Sequence, residues 1–191
     1  MLGDVTVLPT VGSLVTRPAL EAPELLAVPV AELLRSWPHG AEVAVAEIDP
    51  AVADTTALVA THGVPAHVSA NCVVVAGRRE GEERTAACVV LATTRADVNG
   101  AVRRLLDVRK ASFLPTDRAV AETGMEYGGI TPLGLPAGWQ ILVDARVPRV
   151  PLAVIGSGVR RSKLVLPGAL LAELPGAEVV DGLAIGVQSP G

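Results

Sequence analysis

Asn71-Cys72-Val73-Val74-Val75-Ala76 and, beyond a charged run, Ala86-Ala87-Cys88-Val89-Val90-Leu91-Ala92-Thr93 are the stretches on which the fold turns. Both are apolar with consecutive valines, and neither carries a charge, which predicts a pair of buried strands. The run between them, Arg78-Arg79-Glu80-Gly81-Glu82-Glu83-Arg84, predicts a solvated hairpin tip. Asp97 follows as a helix cap, and Val98, Ala101, Val102, Leu105 and Leu106 then fall on one helical face. Gly100 weakens that helix slightly.

Upstream, residues 42–48 alternate as a strand, and Asp49-Pro50 signals a helix start that runs to a glycine cap at His62-Gly63. Residues 23–35 read as helical and broken at Pro29, with Val30, Leu33 and Leu34 inward. Downstream, residues 111–114 are extended and residues 115–122 helical. Strands are predicted over 140–145, 151–155, 164–166, 178–180 and 183–187, and a helix over 167–174. Strands and helices mix without regular βαβ alternation, so the class is α+β with a mixed sheet, not a doubly wound fold. Residues 1–48 are expected as an N-terminal extension packing on a domain of residues 49–191.

The chain has 191 residues, half of them hydrophobic, with one Phe, one Tyr and two Trp, so its core must be built from Val, Leu and Ala. A net charge of −4 argues against broad binding along a nucleic-acid backbone, but it leaves room for a local basic patch. Cys72 and Cys88 sit in strand-like runs, which suits free thiols in a reducing compartment, and a cytoplasmic location is expected. His39, His62 and His67 have no zinc-ligand spacing with these cysteines and read as caps or surface groups, so no metal is expected. The first residues lack a basic n-region and an apolar h-region, and no membrane span is expected.

Chemistry concentrates in Met125-Glu126-Tyr127-Gly128-Gly129-Ile130-Thr131-Pro132-Leu133-Gly134. Glycines admit close backbone approach, and Pro132 stiffens the loop and drives Thr131 towards an extended form. Free N–H groups from Gly129 to Thr131 would suit a carbonyl or hydroxyl; the plainer alternative is a Gly-Pro turn between elements. Gly156-Ser157-Gly158 follows a strand, but the basic, extended segment after it does not fit a dinucleotide site. The spacing of a hydrolase nucleophile elbow is absent. Arg103/Arg104, Arg109/Lys110 and Arg160/Arg161/Lys163 are either solvated faces or phosphate contacts.

The order Ala70-Asn71-Cys72-Val73-Val74-Val75, Asp97 with its helix, Phe113-x-Pro115, Thr123-Gly124, Gly128-Gly129-Ile130-Thr131-Pro132-Leu133-Gly134, Val143-Asp144-Ala145 and Gly156-Ser157-Gly158-Val159-Arg160 resembles the YbaK-type domain. That is the family of aminoacyl-tRNA deacylases related to the editing insertion of prolyl-tRNA synthetases, and the match covers about residues 50 to 180. The resemblance implies a barrel-like mixed sheet flanked by helices, and trans-editing hydrolysis of the ester on the 3′ adenosine of mischarged tRNA, with no cofactor. It implies a catalytic constellation of Gly128, Gly129, Ile130, Thr131 and Pro132 with Asn71. Asp144, Gly156, Ser157, Gly158, Arg160 and Arg109 would bind substrate. The partner would be the acceptor end of aminoacyl-tRNA. The family usually carries a lysine where Asn71 stands. A non-catalytic module that binds tRNA or a small ligand on the same fold is therefore the alternative.

Overall fold

The computed structural model describes residues 8–187, so residues 1–7 of the expected extension and residues 188–191 lie outside it. In chain order it contains β1 (Thr16–Pro18), α1 (Val28–Ser36), β2 (Ala44–Glu47), α2 (Thr55–His62), β3 (Ala70–Arg79) and β4 (Glu82–Leu91). There follow β5 (Thr94–Ala96), α3 (Arg103–Leu105), β6 (Ala111–Phe113), α4 (Thr116–Thr123) and β7 (Gln140–Asp144). The chain ends through β8 (Ala153–Gly156), β9 (Ser162–Leu166), β10 (Ala177–Val180) and β11 (Ala184–Gly186).

These strands form the expected α+β arrangement, as three sheets that do not close into one barrel. One has the order β1-β2-β9-β8, the second β10-β7-β4-β3-β6, and a two-stranded sheet joins β11 to β5. In the second sheet β4 pairs antiparallel with β3 but parallel with β7. Its central strands β4 and β7 are buried on both faces over residues 85–91 and 141–144, which is why their sequences run on as apolar stretches. Val89 and Leu91 enter the core shared with α1 and the first sheet, whereas Cys88 and Val90 enter a core under Val102 and Leu106. The alternation also keeps Cys72 and Cys88 unpaired: Cys72 lies opposite Val89 and Cys88 opposite Val73. β1 and β2 join β9 and β8, and α1 packs Val30 and Leu34 into the main core, so residues 16–47 contribute directly to sheet and core.

Three local expectations change. The charged run 78–84 is mostly strand, because Arg78 lies opposite Glu83 and Arg79 opposite Glu82; opposite charges facing across the ladder support pairing. Only Glu80 and Gly81 turn, both at positive φ, as a tight two-residue hairpin requires. Asp49 caps a single 3-10 turn, Pro50–Val52, while α2 takes its own cap from Asp54, whose carboxylate accepts the Ala57 N–H at 2.9 Å. The segment after Asp97 is a π-turn, Val98–Val102, running into the short α3. The Asp97 carboxylate accepts the N–H groups of both Gly100 and Ala101, and a side chain at position 100 would strike it. The apolar face of that segment nevertheless points inward as its spacing predicts.

Candidate functional site: a cleft between the 128–132 loop and strand β3

The first and second sheets meet where Ser69, just before β3, forms a parallel bridge to Val154 in β8. Beyond this junction, β3, the end of β8 and the start of the 128–132 loop border a common space. A cleft of about 470 Å³ results. Ala70 to Val74 of β3 form one wall, and Gly128, Ile130 and Gly156 another. Phe113 and Tyr127 stand exposed at its edge.

The loop is held by backbone. The Gly158 N–H donates to the Gly129 carbonyl at 2.8 Å, and the Glu126 N–H donates to the Gly158 carbonyl at 2.8 Å. Contact is so close that a Cβ on Gly129 would lie 2.7 Å from the backbone of Val159, and one on Gly156 would strike the carbonyls of Gly129 and Ile130. Gly128 has φ +81°, which its lack of a side chain permits. The Gly129 N–H is not free as expected: it closes a turn onto the Glu126 carbonyl at 2.9 Å. The N–H groups of Gly128 and Ile130 have no partner among the described residues.

Arg160 clasps this assembly from outside. Its guanidinium donates to the Tyr127 carbonyl at 3.2 Å and to the Pro50 carbonyl at 2.9 Å, and its own N–H donates to Glu126. Ser157 is buried, and its hydroxyl bonds with Ser162 at 2.7 Å, which builds the turn from within. Thr131 is fully buried, and its hydroxyl has no partner among the described residues. Thr131 and Pro132 therefore carry the loop into the core and do not line the cleft.

Asn71 lines the cleft and its side-chain oxygen accepts the Thr55 hydroxyl at 3.2 Å, leaving the amide N–H₂ without a protein partner among the described residues. Asp144 lies elsewhere. It is buried at the end of β7, where its carboxylate accepts from the Arg146 guanidinium at 2.7 and 2.9 Å and from the Ala184 N–H at 2.9 Å. Burial pushes this carboxyl up, but the bonds from Arg146 and the backbone outweigh it and hold it below its ordinary value. Its geometry is that of a latch between β7 and β11. Arg109 is also outside the cleft, in a neighbouring groove with Lys110 and Arg78.

Lys163, named in the sequence only as part of a basic group, emerges as a cleft residue. It sits in β9 opposite Gly156, and makes no ion pair or side-chain hydrogen bond with the described residues. Burial, and then the nearby Arg160 guanidinium, push its ammonium down to about 8, with Asp54 opposing. No sequence spacing links Lys163 to the 128–132 loop; the signal was a lone lysine in an otherwise apolar strand, Lys163-Leu164-Val165-Leu166. Cys72 is half-buried and also lines the cleft, where burial, and then the neighbouring Cys88, raise its thiol above the ordinary value.

Comparison with known families matches residues 49–174 to the model of the aminoacyl-tRNA editing domain. Among solved structures, a proposed trans-editing enzyme for prolyl tRNA synthetase aligns over 81% of this chain and 94% of its own, at 21% identity and TM-score 0.69. A hypothetical protein aligns over 82% of this chain and 99% of its own, at 20% identity and TM-score 0.70. A scaffold protein used for computational grafting of linear epitopes aligns over 81% and 95%, at 21% identity and TM-score 0.69. At such identities the likeness concerns the fold. No curated protein matches the chain. Among the described residues no helix is long and apolar enough to cross a membrane.

Proposed function

The chain belongs to the aminoacyl-tRNA editing domain family, and from that premise we propose that it hydrolyses the ester joining a wrongly attached amino acid to the 3′ end of a tRNA. The observation that carries this reading is the 128–132 loop, stitched backbone to backbone against the 156–158 turn at the head of a cleft that contains a half-buried, unpartnered ammonium, that of Lys163.

In this reading, water attacks the ester carbonyl carbon. The bond from that carbon to the ribose oxygen breaks, the oxygen takes a proton, and the free amino acid and tRNA leave. An aminoacyl ester is already activated, so fixing the carbonyl, the water and the ribose relative to one another supplies much of the acceleration. The unpaired N–H groups of Gly128 and Ile130 are donors for the developing oxyanion. The apolar walls from Val73, Val74 and Ile130 receive the amino-acid side chain and select it by size. Lys163 provides the cation that draws in the electron-rich acceptor end, from the opposite wall to the position where the family usually has its lysine.

The test is a panel of mischarged tRNAs incubated with the protein. Release of the amino acid from at least one of them, faster than spontaneous hydrolysis, is expected; stability of every ester beside an active family control would overturn the reading. A second reading is favoured by Asn71, which bears no charge and is engaged by Thr55: a module that binds aminoacyl-tRNA without turnover. Asn71→Lys separates the two. Activity gained only in the variant supports the binding module, and activity already present in the natural sequence supports the deacylase.

A further inference from the structure

The cleft does not end at its rim. A second depression of about 360 Å³ lies behind it along β3. Ala70 to Val74 of β3 line the cleft, and Ala76, Gly77 and Arg78 line this groove. At about 3.3 Å per residue, Asn71 and Arg78 are roughly 23 Å apart along the strand. The ridge between them is Phe113 and Leu114, which line both depressions. The Leu114 N–H donates to the Val74 carbonyl at 2.9 Å, which pins the ridge to β3.

Two properties of this path point to one kind of ligand. Phe113, the chain's single phenylalanine, is 62% exposed although its strand is locked to β3 at Val75. Four cations line the groove, Arg78, Arg109, Lys110 and Arg118, with one acid, Glu83, which Arg78 approaches to 3.8 Å. Arg118 is consumed by Glu83 and Glu122, at 2.7 and 2.6 Å. Arg109 and Lys110 are exposed and make no ion pair among the described residues, in a protein whose net charge is −4. A bare aromatic beside unneutralised cations matches single-stranded nucleic acid, where bases stack and phosphates are read by charge.

We propose that this groove carries the phosphate backbone of the RNA whose acylated end occupies the cleft, with one unpaired base stacked on Phe113 as the strand crosses the ridge. The proposal rests on the deacylase reading and adds to it a route, from Arg109 and Lys110 over Phe113 towards Lys163. It also accounts for Arg109 standing apart from the cleft.

The experiment measures binding of an uncharged, fluorescently labelled RNA hairpin with a single-stranded 3′ end, by anisotropy over a salt series, using the full chain. For Arg109→Ala/Lys110→Ala, the slope of log affinity against log salt becomes shallower by about 1.4, at ~0.7 per single-strand phosphate contact. Phe113→Ala weakens binding about tenfold without changing the slope. Arg35→Ala/Arg95→Ala removes the same charge from exposed sites off this path and leaves the slope as it was. An undetectable complex, an equal change in the control, an unchanged slope in Arg109→Ala/Lys110→Ala, or displacement by polyglutamate as readily as by RNA would each overturn the proposal. The hairpin carries no ester, so the outcome is independent of whether the protein cleaves one. Lack of hydrolysis with the expected slopes sinks the deacylase reading alone, and hydrolysis with unchanged slopes sinks the groove alone.

Discussion

Replacing Gly129 by alanine puts a methyl group 2.7 Å from the carbonyl carbon and oxygen of Val159 and 2.8 Å from its nitrogen. Ordinary contact begins near 3.4 Å, so loop and turn must separate by about 0.7 Å, and the obstacle is backbone that no rotamer change can move aside. The Gly158 to Gly129 hydrogen bond, 2.8 Å long, is stretched in the process. Overpacking of this kind costs about 1–3 kcal/mol. For a chain of this size that lowers the melting temperature by about 4–8 °C at the middle of the range. The effect on rate is larger than that stability loss implies, because an ångström of misplacement at a reacting centre costs on the order of 100-fold. Calorimetry and single-turnover deacylation of a cleaved mischarged tRNA measure the two effects side by side. Gly186→Ala is the control, since a methyl there meets nothing within 4 Å. A Gly129→Ala protein with the parent's melting temperature and rate would refute the claim that backbone contact between loop and turn sets the geometry of the cleft.

Further outcomes follow from individual side chains. Lys163→Met lowers deacylation yet stabilises the fold at pH 7 by on the order of 2 kcal/mol, because a lysine whose value drops from 10.5 to about 8 on folding is an ammonium that folding disfavours. In the parent that cost fades as pH rises from about 8 to 10.5, so the two melting temperatures converge across that window, and a rate that depends on the ammonium falls as pH passes about 8. Thr131→Val keeps the shape and removes a buried hydroxyl without a partner, so urea denaturation should find it neutral or more stable by up to ~1 kcal/mol. The Asp144 carboxyl has a lowered value when folded, so its contribution is fully present above its ordinary 3.8 and is lost as pH falls through the lower folded value. Acid titration of Arg146→Ala should therefore find a smaller stability loss over that range than the parent suffers, from a starting point already reduced by about 1–2 kcal/mol for a partner that is itself partly exposed.

The hairpin, the inward face after Asp97 and the two turns that meet at the cleft were legible because each is a local pattern: alternation, helical spacing, or glycine where a side chain cannot fit. What escaped the sequence was set by neighbours far along the chain. Arg78 and Glu83 read as solvent-loving until the register put them face to face. Asp144 entered as a site residue through the family resemblance, but Arg146 and the distant Ala184 occupy its carboxylate oxygens. Lys163 read only as one of a basic group, a solvated face or a phosphate contact, because nothing in its own strand says that it will share a cleft with the 128–132 loop. The Gly129 N–H is a local exception: it looked free, but it closes a turn onto the Glu126 carbonyl three residues back.

The parallel pairing of β4 with β7, from Ala86 opposite Gln140 to Val89 opposite Val143, has a consequence for biogenesis. A parallel pair needs a long crossover, and here the crossover contains β5, α3, β6, α4 and the 128–132 loop. The opposite wall arrives later still, since β2 waits for β9 across about 120 residues before Ala44 can meet Val165. A chain leaving the ribosome N-terminus first would carry β3 with its partner β4 but without the rest of the cleft, and Val73 and Val74 would stay uncovered by the loop until most of the protein had been made. Fold and site are thus completed in the same late step. Partly synthesised chains would be inert towards any ester, and the interval of exposed β3 is when a holdase would have most to protect.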